Sequence, residues 1–281
     1  MAQPVGAVVE SWGQFIERQD PVMRQRSLPI AALALLALCL ALFQPVGAAR
    51  AAQADPFRVA AYYPSWRSAK HQEKIDYDTV THVIYAFAIP TAEGGLMPLE
   101  NPNTAKQLIA NAHAAGAKVL LAVGGWSYGD KVLESTFVSA TSTAARRTAF
   151  ADAILKLCDT YGFDGVDIDW EYPRLAGNTY KQYESLMLDL ANRLHRQGKL
   201  LTTAVMGGTS PQGVIYANAA AYTDKVLEAV DWINVMAYDG DNGSQHSTYE
   251  YAVHAASYWL DTRGLPREKV VLGVPFYARP G

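Results

Sequence analysis

The chain has 281 residues, half of them apolar, and its 24 basic and 27 acidic residues leave a net charge of −3. An apolar share of this size supports a globular domain with a sizeable core and excludes a disordered or fibrous chain. No basic run follows the first 54 residues, so nucleic acid is not expected as a partner.

The first 54 residues are predicted to be an N-terminal extension followed by a signal peptide. Two arginines after Met23 form a positive region, residues 29–43 form an apolar run, and an Ala-Gln-Ala cleavage site ends at residue 54. The apolar run is shorter than the roughly 20 residues of a membrane-spanning helix, so we expect cleavage and no stable membrane anchor. We therefore expect translation to start at Met23 and residues 55–281 to be secreted, to the periplasm or the extracellular space.

Cysteine and histidine usage predicts neither a disulfide nor a zinc site. Cys158 is the only cysteine after residue 54, and its helical spacing from Ile154 and Leu155 predicts a small core residue. No two of the six histidines have the helical spacing of metal ligands. We expect a monomer that needs no metal and no cofactor.

Strand-like and helix-like stretches alternate from residue 57 onward. Stretches rich in Val, Ile and aromatic residues predict strands at 57–63, 81–88, 118–125, 165–171, 200–208, 232–238 and 269–277. Apolar stripes with a period near 3.6 residues predict helices at 104–115, 147–160 and 180–197. The expected C-terminal helix caps are Gly116, Gly162, Gly198 and Gly264.

This alternation predicts an α/β fold with a parallel sheet. No glycine-rich phosphate turn follows the first predicted strand, which favours a (β/α)8 TIM barrel over a doubly wound sheet. Seven strands are visible, so we expect residues 55–281 to form a barrel that lacks its eighth βα unit. A sequence that stops early is the favoured explanation, and a damaged enzyme or closure by another chain are the alternatives.

Residues 164–173 read DGVDIDWEYP and combine a strand-like pattern with four acids. Side chains alternate along a strand, so Asp167, Asp169 and Glu171 share one face while Val, Ile and Trp occupy the other. Packing of the apolar face under outer helices would turn the acids toward the barrel axis. Glu171 would then lie at the C-terminal mouth, where barrel enzymes hold their active sites.

Clustered carboxyl groups perturb one another, and the one that stays protonated near neutral pH can act as a general acid. Two other interpretations remain open. The acids can form a solvated strand face, although the flanking Val, Ile and Trp disfavour an exposed strand. They can also ligate a hard cation of the Mg²⁺ or Ca²⁺ type.

The segment DGVDIDWEYP resembles the D-x-x-D-x-D-x-E signature of glycoside hydrolase family 18, the family of bacterial-type chitinases. Further stretches resemble that family in order and spacing. They are AAYYPSW (60–66), YAFA (85–88), KVLLAVGGW (118–126), MAYD (236–239) and LGVPFYAR (272–279). The resemblance covers residues 57–281.

The resemblance implies catalysis in which the substrate's own acetamido group attacks its anomeric carbon. Glu171 would protonate the leaving glycosidic oxygen and then activate water, and Asp169 would hold the acetamide N–H. Asp167 would share a proton with Asp169, and Tyr238 would donate a hydrogen bond to the acetamide carbonyl. Asp164 would be structural.

The resemblance also implies a glycan cleft lined by aromatic side chains. Its predicted lining residues are Tyr62, Phe87, Gly124, Gly125, Trp126, Tyr172, Met236, Asp239, Tyr277 and Arg279. Gly124 and Gly125 would allow the third strand's backbone to approach the sugar or a neighbouring strand.

The chain departs from the family pattern at two points. Ala122 stands where many relatives have Ser, and nothing corresponds to the eighth strand with its sugar-binding Trp. The expected function is an endo-acting hydrolase of β-1,4-N-acetylglucosamine linkages in chitin or chito-oligosaccharides. The alternatives are an endo-β-N-acetylglucosaminidase, a peptidoglycan-acting hydrolase, or a non-catalytic glycan-binding remnant.

Overall fold

A computed structural model describes residues 57–240 and 246–278. The chain divides into two units, residues 1–54 and 55–281, and the described residues all belong to the second. The predicted extension and signal peptide lie outside the described residues. In the described part of the chain, no helix is long and apolar enough to cross a membrane.

In the described part of the chain, seven parallel strands form one curled, open sheet, which is a partial (β/α)8 barrel and confirms the predicted fold. The strands are β1 Ala60–Pro64, β2 His82–Ala88, β3 Lys118–Gly124, β6 Gly165–Asp169, β7 Leu200–Met206, β8 Trp232–Met236 and β9 Val270–Leu272. They pair in that order, and β1 and β9 are the edge strands. A two-stranded antiparallel hairpin, β4 Ser127–Tyr128 with β5 Lys131–Val132, follows β3.

Helices connect the strands in the βα pattern. The α-helices are α1 Pro102–Ala114, α2 Glu134–Ala140, α3 Ala144–Tyr161, α4 Thr179–His195, α5 Asp224–Ala229 and α6 Tyr249–Ser257. Short 3-10 helices cover Ala69–Lys74, Ala176–Asn178, Ala217–Ala221 and Arg267–Lys269, and a π-helix covers Tyr258–Thr262. The predicted helices correspond to α1, α3 and α4. The shorter α2, α5 and α6 were not predicted, because few turns give a weak periodic pattern.

The last strand is shorter than predicted. Residues 269–277 were expected to be extended, but β9 ends at Leu272. Gly273 still donates its N–H to the Val235 carbonyl at 2.7 Å, and Pro275 then has no N–H to offer. Phe276 is fully exposed beyond that point.

The outer face of β6 packs into the hydrophobic core. Val166, Ile168 and Trp170 all belong to the main buried cluster. The Trp170 ring stacks on Phe137 of α2 at 4.9 Å and meets the Tyr183 ring of α4 edge-on at 5.8 Å. Burying an aliphatic side chain such as Val166 or Ile168 contributes about 1.5–3 kcal/mol to stability. This packing leaves the acids on the inner face of the strand.

Two buttresses of identical design tie strands together at their N-terminal ends. Asp164 accepts hydrogen bonds from Val119 N–H at 2.7 Å and from His113 Nε2 at 2.7 Å. Asp231 accepts them from Leu201 N–H at 2.8 Å and from His195 Nε2 at 3.1 Å. Each aspartate lies just before its strand, so Asp164 holds β6 to β3 at the end opposite Glu171.

Cys158 is buried on α3, and its Sγ lies 3.5 Å from the Phe163 carbonyl. Burial raises the pKa of its thiol to about 12. The helix ends at Tyr161, and its C-cap Gly162 has a φ of 81°, the left-handed conformation expected of a glycine cap. The three other predicted cap glycines also have positive φ.

Candidate active site

The inner face of β6 presents the acids to the barrel interior. Every residue of the strand is buried, and Asp167 and Asp169 are 0% and 4% exposed. Glu171 follows two residues after the strand ends, at the C-terminal mouth. The interpretation of this segment as a solvated strand face is therefore wrong, because helices cover one side of β6 and the barrel interior encloses the other.

Three other strands supply hydrogen-bond donors to Asp167. Tyr62 OH of β1 lies 2.8 Å from Oδ2, and Thr202 Oγ1 of β7 lies 2.5 Å from Oδ1. Asn234 Nδ2 of β8 lies 3.0 Å from the same Oδ1. Burial raises the pKa of Asp167, and these three hydrogen bonds oppose the rise by stabilising the charged form.

This arrangement also bears on the hard-cation interpretation. Three protein donors occupy three of the roughly four lone-pair sites of the Asp167 carboxylate. Within residues 57–240 and 246–278, no group of three or more His, Cys, Asp or Glu side chains could hold a metal ion. The interpretation as a cation site is therefore not supported.

Asp169 and Glu171 form a hydrogen-bonded carboxyl pair. Burial raises the pKa of Asp169 well above its usual range, and the charges of Glu171 and Asp167 raise it further. Burial also raises the pKa of Glu171. Hydrogen bonds from Tyr172 and Asp169 oppose this rise without cancelling it. A carboxyl group can donate a hydrogen bond only when it is protonated, so the pair shares a proton.

The resemblance implied that Asp169 shares its proton with Asp167. In this structure Asp169 instead makes its carboxyl hydrogen bond to Glu171. The physical reason is that the donors Tyr62, Thr202 and Asn234 occupy the Asp167 oxygens. Asp169 Oδ1 is buried with no hydrogen-bond partner among the described residues.

Tyr238 faces this carboxyl pair from the end of β8. Burial raises the pKa of Tyr238, and the nearby charges of Asp169 and Glu171 add to the rise. Its hydroxyl therefore stays protonated and able to donate a hydrogen bond. Met236, also predicted, lies at the C-terminal end of the same strand and is half-buried, in register with Met206.

A second polar group lies beside Tyr238. Asp239 accepts a hydrogen bond from Tyr277 OH at 2.7 Å, and its Oδ1 lies 2.8 Å from His246 Nδ1. The rings of Tyr277 and His246 stack at 5.4 Å. The structure thus brings the predicted residues Tyr238, Asp239 and Tyr277 together. Arg279 lies outside the described residues.

Aromatic side chains surround the other side of Glu171. Tyr172 hydrogen-bonds to Glu171, and burial raises the pKa of its phenol. The ring of Trp126 lies 6.4 Å from that of Tyr172 and is 53% exposed, so one face is open to solvent. The ring of Phe87 lies against Gly125. An open aromatic face beside an acid is a suitable surface for a sugar ring.

The two predicted glycines of β3 serve a close backbone approach. A Cβ on Gly124 would lie 2.2 Å from the carbonyl oxygen of Asp169. The N–H of Gly125 donates to that same oxygen at 2.8 Å. The glycines therefore bring β3 against the neighbouring strand at the point where Asp169 is held.

Sequence reasoning missed three residues of the site: Thr202, Asn234 and His246. Thr202 and Asn234 are polar residues inside mostly apolar strands, which is a usable signal because buried polar side chains need partners. His246 lies in a polar stretch with no periodic pattern. The sequence offers no signal for it.

The chain matches one protein family over most of its length. The family model described as Glycosyl hydrolases family 18 matches residues 58–281. The chain belongs to this family. The resemblance stated from the sequence motifs is therefore confirmed.

Curated relatives in family 18 are similar to this chain at about 30% identity. A chitinase-like effector of Moniliophthora roreri is 31% identical over 267 residues, covering 87% of this chain and 64% of the relative. Chitotriosidase-1 of Mus musculus is 30% identical over 263 residues, covering 79% and 53%. The chain thus spans less than two thirds of the length of these relatives.

A solved structure from Ostrinia furnacalis is similar in fold. It is a mutant of catalytic domain 2 of the Group II chitinase in complex with (NAG)5, with a TM-score of 0.63 and 25% sequence identity. The similarity covers 78% of this chain and 64% of that chain.

Proposed function

We propose that the protein is a chitinase that hydrolyses β-1,4 linkages between N-acetylglucosamine units of chitin or chito-oligosaccharides. The observation that carries this proposal is the buried carboxyl pair of Asp169 and Glu171 at the C-terminal mouth of β6, with Tyr238 facing it. Family membership and the chitinase names of the relatives support the choice of substrate.

Glu171 is the general acid and base in this proposal. Because its pKa is raised, Glu171 keeps its proton at pH values where an ordinary glutamate has lost it. That proton is available for transfer to the leaving glycosidic oxygen. After the leaving group departs, the resulting carboxylate accepts a proton from the attacking water.

The nucleophile is the substrate's acetamido oxygen, which attacks the anomeric carbon and gives an oxazolinium ion. Asp169 accepts a hydrogen bond from the acetamide N–H and stabilises the positive charge of the ion. Tyr238 donates a hydrogen bond to the acetamide oxygen. Water then attacks the anomeric carbon from the face that the leaving group vacated, opposite the acetamido oxygen. The product therefore retains the β configuration.

The surrounding aromatic residues bind the sugar chain. The open face of Trp126 stacks on a sugar ring, and Tyr172 orients Glu171 through its hydrogen bond. We assign endo action, because the exposed aromatic surface can accept a chain that extends past the cut.

The experiment is hydrolysis of N-acetyl-chito-oligosaccharides by the purified protein, with Glu171→Gln as the control, and with early product anomers measured by NMR. Release of β-anomers by the parent and not by the variant supports the mechanism. Early α-anomers would refute retention. A folded protein that binds the sugars without cutting them would replace this proposal by the glycan-binding alternative.

We also propose that the chain is exported through the signal peptide predicted in residues 1–54 and acts as a secreted monomer. The measurement is N-terminal sequencing of protein recovered from the medium or periplasm, followed by its mass in solution. An N-terminus at residue 55 and a monomer mass are expected. Retention of the whole chain in the cytoplasm would contradict export.

A further inference from the structure

A column of buried polar side chains lies beneath Asp167 and ends at its Oδ1 oxygen. Trp232 Nε1 donates to Asn234 Oδ1 at 3.0 Å, and Asn234 Nδ2 donates to Asp167 Oδ1 at 3.0 Å. Thr202 Oγ1 reaches the same oxygen at 2.5 Å. All three supporting side chains are buried. Carrying polar groups this deep is costly unless each one has a partner.

The direction of these hydrogen bonds is fixed by chemistry. An indole N–H can only donate, so the Asn234 atom that faces Trp232 must be its carbonyl oxygen. The Asn234 amide nitrogen then faces Asp167 and can only donate to it. The ring of Trp232 is itself held between the Arg58 guanidinium, 4.3 Å from its centre, and His82, edge-on at 4.9 Å.

Two donors on one oxygen stabilise the form in which that oxygen carries the charge. We propose that Trp232, Asn234 and Thr202 are positioning residues that hold Asp167 Oδ1 as an acceptor and so keep the mobile proton of the acid cluster on Asp169 and Glu171. This inference rests on the proposed hydrolysis, because it assigns that proton to the pair that uses it.

Loss of the Thr202 donor has a predictable sign. Asp167 would bind a proton more tightly and draw it from Asp169. Asp169 would then no longer donate to Glu171 and would repel its charge, so Glu171 would also bind its proton more tightly. Deprotonation of Glu171, which limits activity at high pH, would move to higher pH.

Other titratable groups face these acids and must be considered. They are Tyr62, Tyr172, Tyr183, Tyr222, Tyr238 and Asp239. The pKa of each of these tyrosines is raised, so all of them stay neutral across an assay from about pH 4 to 9. Asp239 is present in the parent and in every variant, so its own titration does not distinguish them.

Thr202→Val is the test, and Thr203→Val is its matched control. Thr203 is the next residue of β7 and equally buried, but its Oγ1 donates to the Ile168 carbonyl at 2.6 Å on the opposite face. We expect Thr202→Val to shift the alkaline limb of the plot of kcat/KM against pH by about half a pH unit to higher pH. The shift is of this size because a hydrogen bond to a charge changes a pKa by about one unit. Thr203→Val should leave the limb in place, and Thr202→Ser should restore it.

The inference is overturned if the alkaline limb shifts equally in Thr202→Val and Thr203→Val. It is also overturned if the limb shifts in neither variant. A parent with no turnover would instead refute the proposed function, and the column is then tested without substrate. The indole N–H resonance of Trp232, assigned by its loss in Trp232→Phe, is followed against pH by NMR. A pH-dependent resonance in the parent that becomes pH-independent in Asn234→Ala supports the column, and identical behaviour in both overturns it.

Discussion

Substitution of Gly124 by alanine tests how the barrel holds Asp169. The added Cβ would lie 2.2 Å from the Asp169 carbonyl oxygen and 2.7 Å from the Phe137 ring, at a backbone φ of 116°. Gly116 provides a control. Its φ is 79°, and a Cβ there would meet nothing within 4 Å. Both variants place a side chain at a positive φ, and only Gly124→Ala brings the new Cβ into collision.

The expected magnitudes follow from those contacts. A side chain in the left-handed region costs about 1–2 kcal/mol at either position. Overpacking adds about 1–3 kcal/mol at Gly124 alone. Moving β3 away would also break the 2.8 Å hydrogen bond from Gly125 to Asp169, at about 1 kcal/mol. We expect Gly124→Ala to cost about 3–6 kcal/mol and Gly116→Ala about 1–2 kcal/mol.

The assay is urea unfolding followed by tryptophan fluorescence, with the hydrolysis rate measured on the same samples. Gly124→Ala should lower both stability and kcat, because Asp169 moves with its carbonyl, whereas Gly116→Ala should lower stability alone. Equal losses of stability in the two variants, within about 0.5 kcal/mol, would refute the close approach of β3 to Asp169.

Three further outcomes are expected. Asp164→Ala and Asp231→Ala should each lower the free energy of unfolding by about 1–3 kcal/mol in urea melts and leave kcat unchanged, since both buttresses lie at the N-terminal strand ends; a large fall in kcat for either would contradict this placement. The raised pKa of Asp169 means that its stabilising contribution is fully present below about pH 4, its unfolded value, and is lost as the pH rises through the folded value. Asp169→Asn should therefore flatten the decline of stability with rising pH, and an unchanged slope would count against a buried, protonated Asp169. Trp126→Ala should raise KM for chito-oligosaccharides up to about tenfold with little change in unfolding free energy, because an open aromatic face binds ligand more than it supports the core; an unchanged KM would exclude stacking at this ring.

The strand alternation and the motifs were readable from the sequence because they are local. Period-two spacing in DGVDIDWEYP placed Asp167 and Asp169 on one face and the apolar residues on the other, and the structure shows that arrangement. Seven strand-like stretches predicted the parallel sheet, and the order of the motifs indicated the family that the comparison shows. Short elements such as α5 were missed, because six residues carry too little periodicity.

The hydrogen-bonding pattern of the acids depended on contacts between distant parts of the chain. Asn234 and Asp167 are 67 residues apart, and Tyr62 and Asp167 are 105 apart, yet both pairs form direct hydrogen bonds. Spacing along the sequence cannot indicate which donor meets which oxygen across a barrel. The curl of the sheet directs three donors, from β1, β7 and β8, to Asp167 and leaves Asp169 to bond to Glu171. The residue types alone determined that acids line the site, and only the tertiary structure decided how they share protons, because a pKa depends on burial and on the neighbours that the fold brings close.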